Sequence, residues 1–451
     1  MHQVLAVVAD PIAARSQMGL SLGWHIIIAC FGVGLPALVV FAEWRGQVTH
    51  DPVYMLLARR WAKALGVLFA IGAVSGTILS IELGVLWSGL MSKWGEVMGL
   101  PFAIEGIAFF IEAIFLGIYL YGWDKLPPTL HLLSGIPIFI AGLLSAFFVV
   151  CANAWMNTPT GYIIADGRLA SVNPWAAMFN LATWPETIHM ILAALMVTGF
   201  GTASVYAVAI LRGRRDRYHQ LGLTIPLVGA SICAPIQIGV GDWAAEMVAH
   251  YQATKLAALE ALSRTTKGAR EALFGWYSHG HLRYAIDIPH GLSLLATHSY
   301  NGTVQGLDAT PKAYRPPLVN VVHLSFDFMV FIGFGLLGIG LWLGLAWWLK
   351  RQLPKSRWFL RSVAVSGIAA AVAMELGWVT TEVGRQPWIV YKVMLVAQAV
   401  NPEPGVSVGA FVIAAAYTAL TIITILVLRH LAHIPIPTEP SPQDVEAYRV
   451  A

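Results

Sequence analysis

The sequence predicts an all-α, polytopic integral membrane protein with about nine transmembrane helices. Of the 451 residues, 57% are hydrophobic and only 12% are charged, against roughly 25% charged residues in soluble domains. Apolar runs of about 20 residues recur along the chain, and each is long enough to cross a bilayer. Too few polar residues remain to cover a globule in water.

Nine apolar spans can be drawn, covering about 17–42, 61–87, 101–123, 132–152, 185–211, 221–241, 321–349, 358–384 and 406–429. The first is a full-length span without an Ala-x-Ala pattern at its end, so no cleavable signal peptide is expected. Cys30, Cys151 and Cys233 lie in or at the ends of apolar runs without paired spacing. This spacing predicts neither disulfides nor metal-thiolate sites.

Basic residues alternate between the two sides of the predicted bundle. The connections after spans one, five and seven are rich in them: Arg45, Arg59, Arg60 and Lys63; Arg212, Arg214, Arg215 and Arg217; Lys350, Arg351, Lys355, Arg357 and Arg361. The alternate short connections carry only Lys93 and Arg168. The positive-inside rule then places the N-terminus outside and the C-terminus in the cytoplasm. Because the net charge of +4 is dispersed in this way, it does not indicate nucleic-acid binding.

The spans divide the chain into four parts. Residues 1–241 hold helices one to six, and 321–430 hold helices seven to nine. Between them, 242–320 form an outer-side insert that is too long for a simple turn, so we expect it to fold and to have a function. Residues 431–451 are rich in Pro and polar residues and are expected to form a disordered cytoplasmic tail.

The segment from Met374 to Trp388 concentrates charge at the end of an apolar helix. Glu375 and Glu382 are seven residues apart and therefore share a helical face, roughly 10 Å apart along the axis. Placing a carboxylate inside a membrane costs free energy, so such a residue is a candidate for a functional role. Arg385 can reach a negatively charged group at the membrane boundary and is a candidate cofactor contact. The alternative is an interfacial arginine that pairs with the acid.

With this topology, the ligand-type residues inside the spans all lie in the outer half of the membrane: His25, Glu82, Glu105, Glu112, His189, His323, Met329 and Glu382. A transporter would place its polar site near the midplane. Imidazole, thioether and carboxylate are groups that haem iron accepts as axial ligands. The pattern therefore suggests haems near the outer face, although a single intramembrane histidine is more often a polar core residue and a methionine is more often core packing.

Spacing alone favours His323 over Met329 as a haem ligand, because imidazole is the commoner axial partner. Glu105 and Glu112 are also seven apart on one face, which suits a proton path or a ligand with a relay.

The outer insert contains Gln252, Lys255 and Glu260 in a short helical segment. Oxidation of a quinol needs an acceptor for its hydroxyl proton and donors to the developing carbonyl oxygen. Glu260 could supply the first, and Lys255 and Gln252 the second. A solvent-exposed Lys/Glu helix is the alternative interpretation.

Several segments together resemble one family, the large subunit of cytochrome bd-type quinol oxidases, and the match runs through all nine spans. They are Arg15-Ser-Gln17 ahead of His25, Ala103-Ile-Glu105-Gly106 with Phe109-Phe110-Ile-Glu112, Leu144-Ser145-Ala146, Ala152-Asn153-Ala-Trp155-Met156, His189, Gln252 to Glu260, Phe328-Met329-Val330, and Gly377-Trp378 through Glu382 to Gly384-Arg385-Gln386-Pro387-Trp388. The last segment and the insert are the most specific.

The resemblance implies a subunit that oxidises quinol outside and reduces O2 to water without pumping protons. His189 and Met329 then resemble the axial pair of a low-spin haem b, which replaces the preference for His323. His25 and Glu382 resemble the ligands of two high-spin haems, one a haem b and the other a haem d or a further haem b.

The remaining candidates acquire roles by the same resemblance. Glu105 resembles an additional residue at the oxygen-reducing haem, while Glu112 and Ser145 resemble parts of a proton entry route from the cytoplasm. Gln252, Lys255 and Glu260 resemble the site of ubiquinol or menaquinol. The family implies a second polytopic subunit, with small single-span subunits in some complexes, in the bacterial cytoplasmic (inner) membrane.

The sequence departs from the family pattern in three places. Glu105 and Glu112 are seven apart where some members have eight, and Asp327 stands where many members carry Arg. The insert is short and resembles the short-loop group, some of which are called cyanide-insensitive oxidases. Two other classes stay open at this point: a haem b membrane quinol oxidoreductase subunit that does not react with O2, and a proton-coupled transporter.

Overall fold

The computed structural model describes residues 11–166, 168–401 and 406–434. In this part of the chain the α-helices are α1 (Pro11–Thr49), α2 (Pro52–Leu86), α3 (Ser88–Gly122), α4 (Pro128–Asn157), α5 (Pro174–Met178), α6 (Thr183–Leu211), α7 (Arg217–Tyr251), α8 (Ala253–Leu259), α9 (Gly291–Thr297), α10 (Val319–Lys350), α11 (Arg357–Gly384), α12 (Val396–Ala399) and α13 (Val406–His433). Of these described helices, nine are long and apolar enough to cross a membrane, all except α5, α8, α9 and α12. The predicted fold class is confirmed.

Short strands form only two-stranded antiparallel pairs in the described residues. They are β1 (Tyr162–Ala165) with β2 (Arg168–Val172), β3 (Thr266–Lys267) with β8 (Thr303–Val304), β4 (Glu271–Leu273) with β7 (Ile286–Ile288), β5 (Trp276–Ser278) with β6 (His281–Arg283), and β9 (Trp388–Val390) with β10 (Met394–Leu395). Three of these pairs lie in the insert between α7 and α10. The insert therefore contains regular secondary structure.

Several predicted boundaries move: α3 begins at Ser88 where 101 was predicted, and the limits of the insert and of the tail also change. Helix α7 continues to Tyr251, where the backbone N–H of Gln252 bonds to the carbonyl of Val248. The residues after Gly241 lack Gly and Pro and carry helix-forming Ala and Met, so nothing ends the helix at 241. The insert therefore begins at Gln252. Helix α13 ends at His433, and most of the predicted tail, from 435 onward, lies outside the described residues.

Helices that follow one another pack side by side in opposite directions, as α1 does with α2, α3 with α4, α6 with α7 and α10 with α11. The largest buried apolar cluster joins α1, α2, α6, α7 and α11 around residues such as Cys30, Leu65, Phe200 and Phe359. Because successive helices run in opposite directions, the N-terminal ends of one set lie at the same end of the bundle as the C-terminal ends of the other. The first set is α1, α3, α6 and α10, and the second is α2, α4, α7 and α11. We call this end of the bundle the site end.

The insert packs onto the site end through apolar contacts. Ala257, Ala258 and Leu259 of α8 are buried together with Val319 and Val322 of α10, and Val383 of α11 packs against them. Burial of this kind contributes about 25 cal/mol per Å² of apolar surface removed from water. The insert is therefore held against the helix ends that carry the ligand-type residues.

Candidate functional site

His25 is held in one tautomer by α2. Its Nδ1 lies 2.7 Å from the Ser75 hydroxyl, and that hydroxyl already donates its hydrogen to the Gly72 carbonyl at 3.0 Å. His25 must therefore donate from Nδ1, which leaves the lone pair on Nε2. Opposite the ring stands Gly76, where a Cβ would lie 3.3 Å from Cε1. This arrangement suits a metal-ligating imidazole whose other nitrogen is fixed by a hydrogen bond.

His189 shows a comparable arrangement on α6. Its Nε2 lies 3.1 Å from the side-chain nitrogen of Gln237 on α7. Its Nδ1 is buried and has no hydrogen-bond partner among the described residues. A Cβ at Gly241 would lie 3.3 Å from Cε1 of the ring. A buried ring nitrogen without a partner is costly, so the ring is expected to have another contact in the assembled protein.

Met329 fits a ligand role better than His323 does. A Cβ at Gly377 of α11 would lie 3.1 Å from the Met329 sulfur, so this glycine leaves the sulfur room. His323 is fully buried, and both of its ring nitrogens are engaged, Nδ1 with the Leu259 carbonyl at 2.6 Å and Nε2 with the Phe274 carbonyl at 2.9 Å. No ring nitrogen of His323 is left for iron. These contacts give no support to the preference for His323 that spacing suggested.

Glu382 lies at the end of α11 in a polar setting. Its Oε1 accepts from Asn153 of α4 at 2.6 Å, and its Oε2 accepts from Arg385 at 2.5 Å. The Arg385 side chain is only 1% exposed, whereas that of Glu382 is 31% exposed. Arg385 is thus a buried partner of Glu382 and not an interfacial arginine. The carboxylate keeps an open side and spare lone pairs for a further ligand.

Two residues that the sequence analysis did not single out extend this network. Asn157 donates to Glu186 at 3.0 Å and accepts from Lys255 at 3.0 Å, and it also donates to Asn153 at 3.2 Å. Glu186 could have been found as an acid near the start of an apolar span. Asn157 had no such signal, because an asparagine at a helix end is common. Together they connect the insert to Glu382.

Glu105, Glu112 and Ser145 come together between α3 and α4. Ser145 donates to Glu105 Oε1 at 3.1 Å. Glu112 is buried, and Cβ atoms at Gly32 and Gly142 would each lie within 4 Å of its carboxyl group. The spacing of seven positions keeps both acids on the face of α3 that meets α4 and α1. The spacing that differs from some family members therefore still aligns them.

The structure separates the insert residues Gln252, Lys255 and Glu260 into different surroundings. All three are buried, so the exposed-helix alternative does not hold. Lys255 points to Asn157, and burial lowers its pKa to about 8, against the opposing charge of Glu186. Both polar atoms of the Gln252 side chain lack a hydrogen-bond partner in the described part of the chain. Burial raises the pKa of Glu260 well above its usual range, with Glu271 and Asp327 adding to the effect.

Asp327, where many family members carry Arg, has local partners. Its Oδ2 accepts from the backbone N–H of Phe274 at 2.6 Å and lies 3.4 Å from Nε2 of His323. The Phe274 ring packs on Phe328 and Phe331 of α10. Asp327 thus helps to attach the insert to the start of α10.

The donor set fits haem iron. His25 offers a lone pair toward a glycine, His189 has a buried nitrogen without a described partner, the Met329 sulfur faces a glycine, and Glu382 has an open side. Imidazole, thioether and carboxylate are axial ligands that haem iron accepts. These four side chains come from α1, α6, α10 and α11 and all lie toward the site end. Together they fit a helical membrane protein that holds haem.

Comparison with known proteins identifies the family. A family model described as cytochrome bd terminal oxidase subunit I matches residues 13–435. The chain is 34% identical over 408 residues to a putative cytochrome bd menaquinol oxidase subunit I of Bacillus subtilis (strain 168), covering 88% of this chain and 91% of that relative. It is 28% identical over 414 residues to the cytochrome bd ubiquinol oxidase subunit 1 of the same organism, covering 88% and 87%. The solved structure of bd oxidase from Geobacillus thermodenitrificans matches with a TM-score of 0.87 and 36% identity, covering 95% of this chain and 99% of that chain.

The chain belongs to the cytochrome bd terminal oxidase subunit I family. The predicted resemblance and the predicted enzyme class, a quinol oxidase, are confirmed. Membership also implies haem cofactors and a partner subunit II.

Proposed function

We propose that this subunit oxidises quinol beneath the insert and reduces O2 to water at haems near the site end, with the insert on the outer side of a bacterial cytoplasmic (inner) membrane. The N-terminus is then outside and the C-terminus cytoplasmic, as the distribution of basic residues favours. The observation that carries the proposal is the continuous chain of hydrogen bonds from the buried Lys255 through Asn157 and Asn153 to Glu382. It joins the predicted quinol residues to a predicted haem ligand.

His189 and Met329 would hold the low-spin haem b, next to the insert. His25 and Glu382 would each hold one of two high-spin haems, a haem b and either a haem d or a further haem b, with Glu105 beside the oxygen-reducing one. When bound, the haems supply one-electron transfer and the binding of O2. Arg385, which pairs with Glu382, fixes the orientation of that carboxylate and balances its charge.

Quinol binding falls to the three insert residues. Lys255 donates through Nζ and is held in place by Asn157. The Gln252 amide, buried without a described partner, is available to a hydroxyl or carbonyl oxygen of the substrate. The Glu260 carboxyl group takes part in accepting the hydroxyl proton of the quinol. The substrate class is ubiquinol or menaquinol, since one curated relative is named for each.

Glu112, Glu105 and Ser145 supply a proton route in this proposal. Quinol oxidation releases protons at the site end, whereas water formation consumes protons that enter from the opposite, cytoplasmic end. Glu112 lies deeper in the bundle than Glu105 and receives them first. The separation of the two proton reactions across the membrane makes the enzyme electrogenic without a pump.

The subunit works with a second polytopic subunit, subunit II, and with small single-span subunits where the complex includes them. Membership of an oxidase family argues against a proton-coupled transporter and against a haem b anchor that never reacts with O2. Oxygen uptake by the purified complex with a short-chain quinol separates these possibilities, because neither alternative would consume O2.

Glu260→Ala is expected to slow quinol oxidation by at least about 100-fold, the usual contribution of a general acid or base. Oxidation of the prereduced haems by O2 should stay at the wild-type rate, because Glu260 lies in the insert and not among the predicted ligands. Rapid-mixing absorbance measurements on the purified complex give both rates. Equal loss of both would count against a quinol role for Glu260.

A further inference from the structure

A second carboxyl group lies next to Glu260. Glu271, the first residue of β4, is 9% exposed, and its side chain is hydrogen-bonded to that of Glu260 at the end of α8. Its Oε2 is buried and has no hydrogen-bond partner within the described residues. No motif in the sequence indicated this pairing, because the two glutamates are separated by a loop.

His323 and Asp327 hold the two carboxyl groups together. His323 Nδ1 lies 2.6 Å from the carbonyl oxygen of Leu259, next to Glu260, and Nε2 lies 2.9 Å from the carbonyl oxygen of Phe274, just after β4. Both ring nitrogens of His323 therefore face backbone carbonyl groups on either side of the glutamate pair. The Asp327 carboxyl group lies 3.4 Å from Nε2 of His323. The end of α8 and the strand of Glu271 are thus fixed to the same turn of α10.

Two hydrogen-bonded carboxyl groups require one proton between them, since two adjacent anions repel each other. Burial keeps the pKa of Glu260 well above its usual range. Burial and the charge of Asp327 raise the pKa of Glu271 to about 6, against the hydrogen bond from Glu260 and the charge of His323. At neutral pH Glu260 therefore holds the shared proton, and Glu271 is the anion. A protonated Glu260 cannot by itself accept another proton.

We propose that Glu271 is the proton-accepting partner of Glu260 in quinol oxidation. The acceptor is then a pair of carboxyl groups that share one proton and can take up a second. This role rests on the proposed function of the insert. A quinol O–H bond breaks, and the pair gains one proton. The gain is either direct, at the free Oε2 of Glu271, or occurs at Glu260 as its own proton passes to Glu271.

The two electrons of each quinol leave for the haem acceptor of the proposed function, and its two hydroxyl protons pass through the pair in turn. After each transfer the pair releases one proton to water on the insert side. Glu271 lies on β4, which pairs with β7, whose residues are exposed. The release step therefore passes through Glu271.

The test uses the purified complex, mixed anaerobically with a short-chain quinol, and follows haem reduction between about pH 5 and 8.5, a range that brackets the pKa of Glu271 near 6. In the wild type the rate should rise with pH through about 6, because only the Glu271 anion accepts a proton. Glu271→Gln should lower the rate about 100-fold and remove that rise. Glu271→Asp should restore most of the rate.

Asp287→Asn is the matched control, because Asp287 lies opposite Ala272 in the same strand pair, partly exposed and paired with Arg270. It should leave the rate and its pH dependence unchanged. A Glu271→Gln enzyme with the wild-type rate and pH dependence, next to an impaired Glu260→Gln enzyme, would overturn the proposal for Glu271 and leave the proposed function standing. Wild-type behaviour of both would instead remove the insert from quinol chemistry.

If Glu271→Gln fails to assemble, Glu271→Asp decides the question. Aspartate has a lower intrinsic pKa than glutamate, so the rise of the rate should move to lower pH when residue 271 is the acceptor. A rise that stays in place would contradict the proposal.

Discussion

Replacement of His189 by alanine is expected to abolish the low-spin haem signal and to leave the high-spin haem signals in place. The imidazole of His189 has one nitrogen near Gln237 and another that is buried without a described partner, and Gly241 leaves space beside the ring. Alanine supplies no ligand, so electrons from quinol have no entry to the complex. We expect quinol-driven oxygen uptake to fall at least about 100-fold, the scale on which loss of an essential group reduces turnover.

The measurement is the reduced-minus-oxidised spectrum of the purified complex. His250→Ala is the control, since His250 is an exposed histidine at the end of α7. His323→Gln is the sharper comparison: both nitrogens of His323 bond to carbonyl groups, so this variant should weaken the insert and keep the low-spin signal. A low-spin signal that survives His189→Ala and disappears with His323→Gln would reverse the ligand assignment.

Glu382→Gln is expected to remove one high-spin haem and to reduce oxygen uptake at least about 100-fold, while the low-spin signal stays. The carboxylate accepts from Asn153 and Arg385 and keeps an open side for a ligand. Its loss also removes the direct ion-pair partner of the buried Arg385 guanidinium, and loss of one member of a buried pair typically costs about 3–5 kcal/mol. Haem extraction and the spectrum of the complex measure the outcome.

The two causes of haem loss can be separated by a second substitution. Glu382→Gln combined with Arg385→Gln removes both members of the ion pair, so no buried charge stays unpaired. If Glu382 is a ligand, the haem should be missing from the double variant as well. Recovery of the haem in the double variant would show that Glu382 acts only as the counter-charge of Arg385.

The transmembrane helices could be predicted from the sequence, but the residues at which they begin and end could not. Apolar runs gave all nine spans because a bilayer requires about 20 consecutive apolar residues. Helix α7 runs beyond its apolar run because Asp242 and Glu246 are compatible with a helix although they are not apolar. The β1–β2 hairpin between α4 and α5 was not predicted, since strands of this length have too few residues for a period to show.

Residues of the candidate site could be predicted where a polar or charged side chain stands in an apolar segment. His25, His189, Glu105, Glu112 and Glu382 are polar residues in apolar spans, and this contrast marks them. Partners such as Asn157, Ser75 and Glu271 are ordinary residues whose importance comes from a neighbour distant in sequence. Periodicity places each residue on a face of its own helix but does not say which face of another helix it meets.

The most direct test of the account is haem extraction from the purified complex together with its reduced-minus-oxidised spectrum. We expect protohaem from both low-spin and high-spin sites, with or without haem d, and the low-spin band should be lost specifically in His189→Ala. A complex without haem, or one whose spectrum is unchanged by removal of His189, His25 and Glu382, would contradict it.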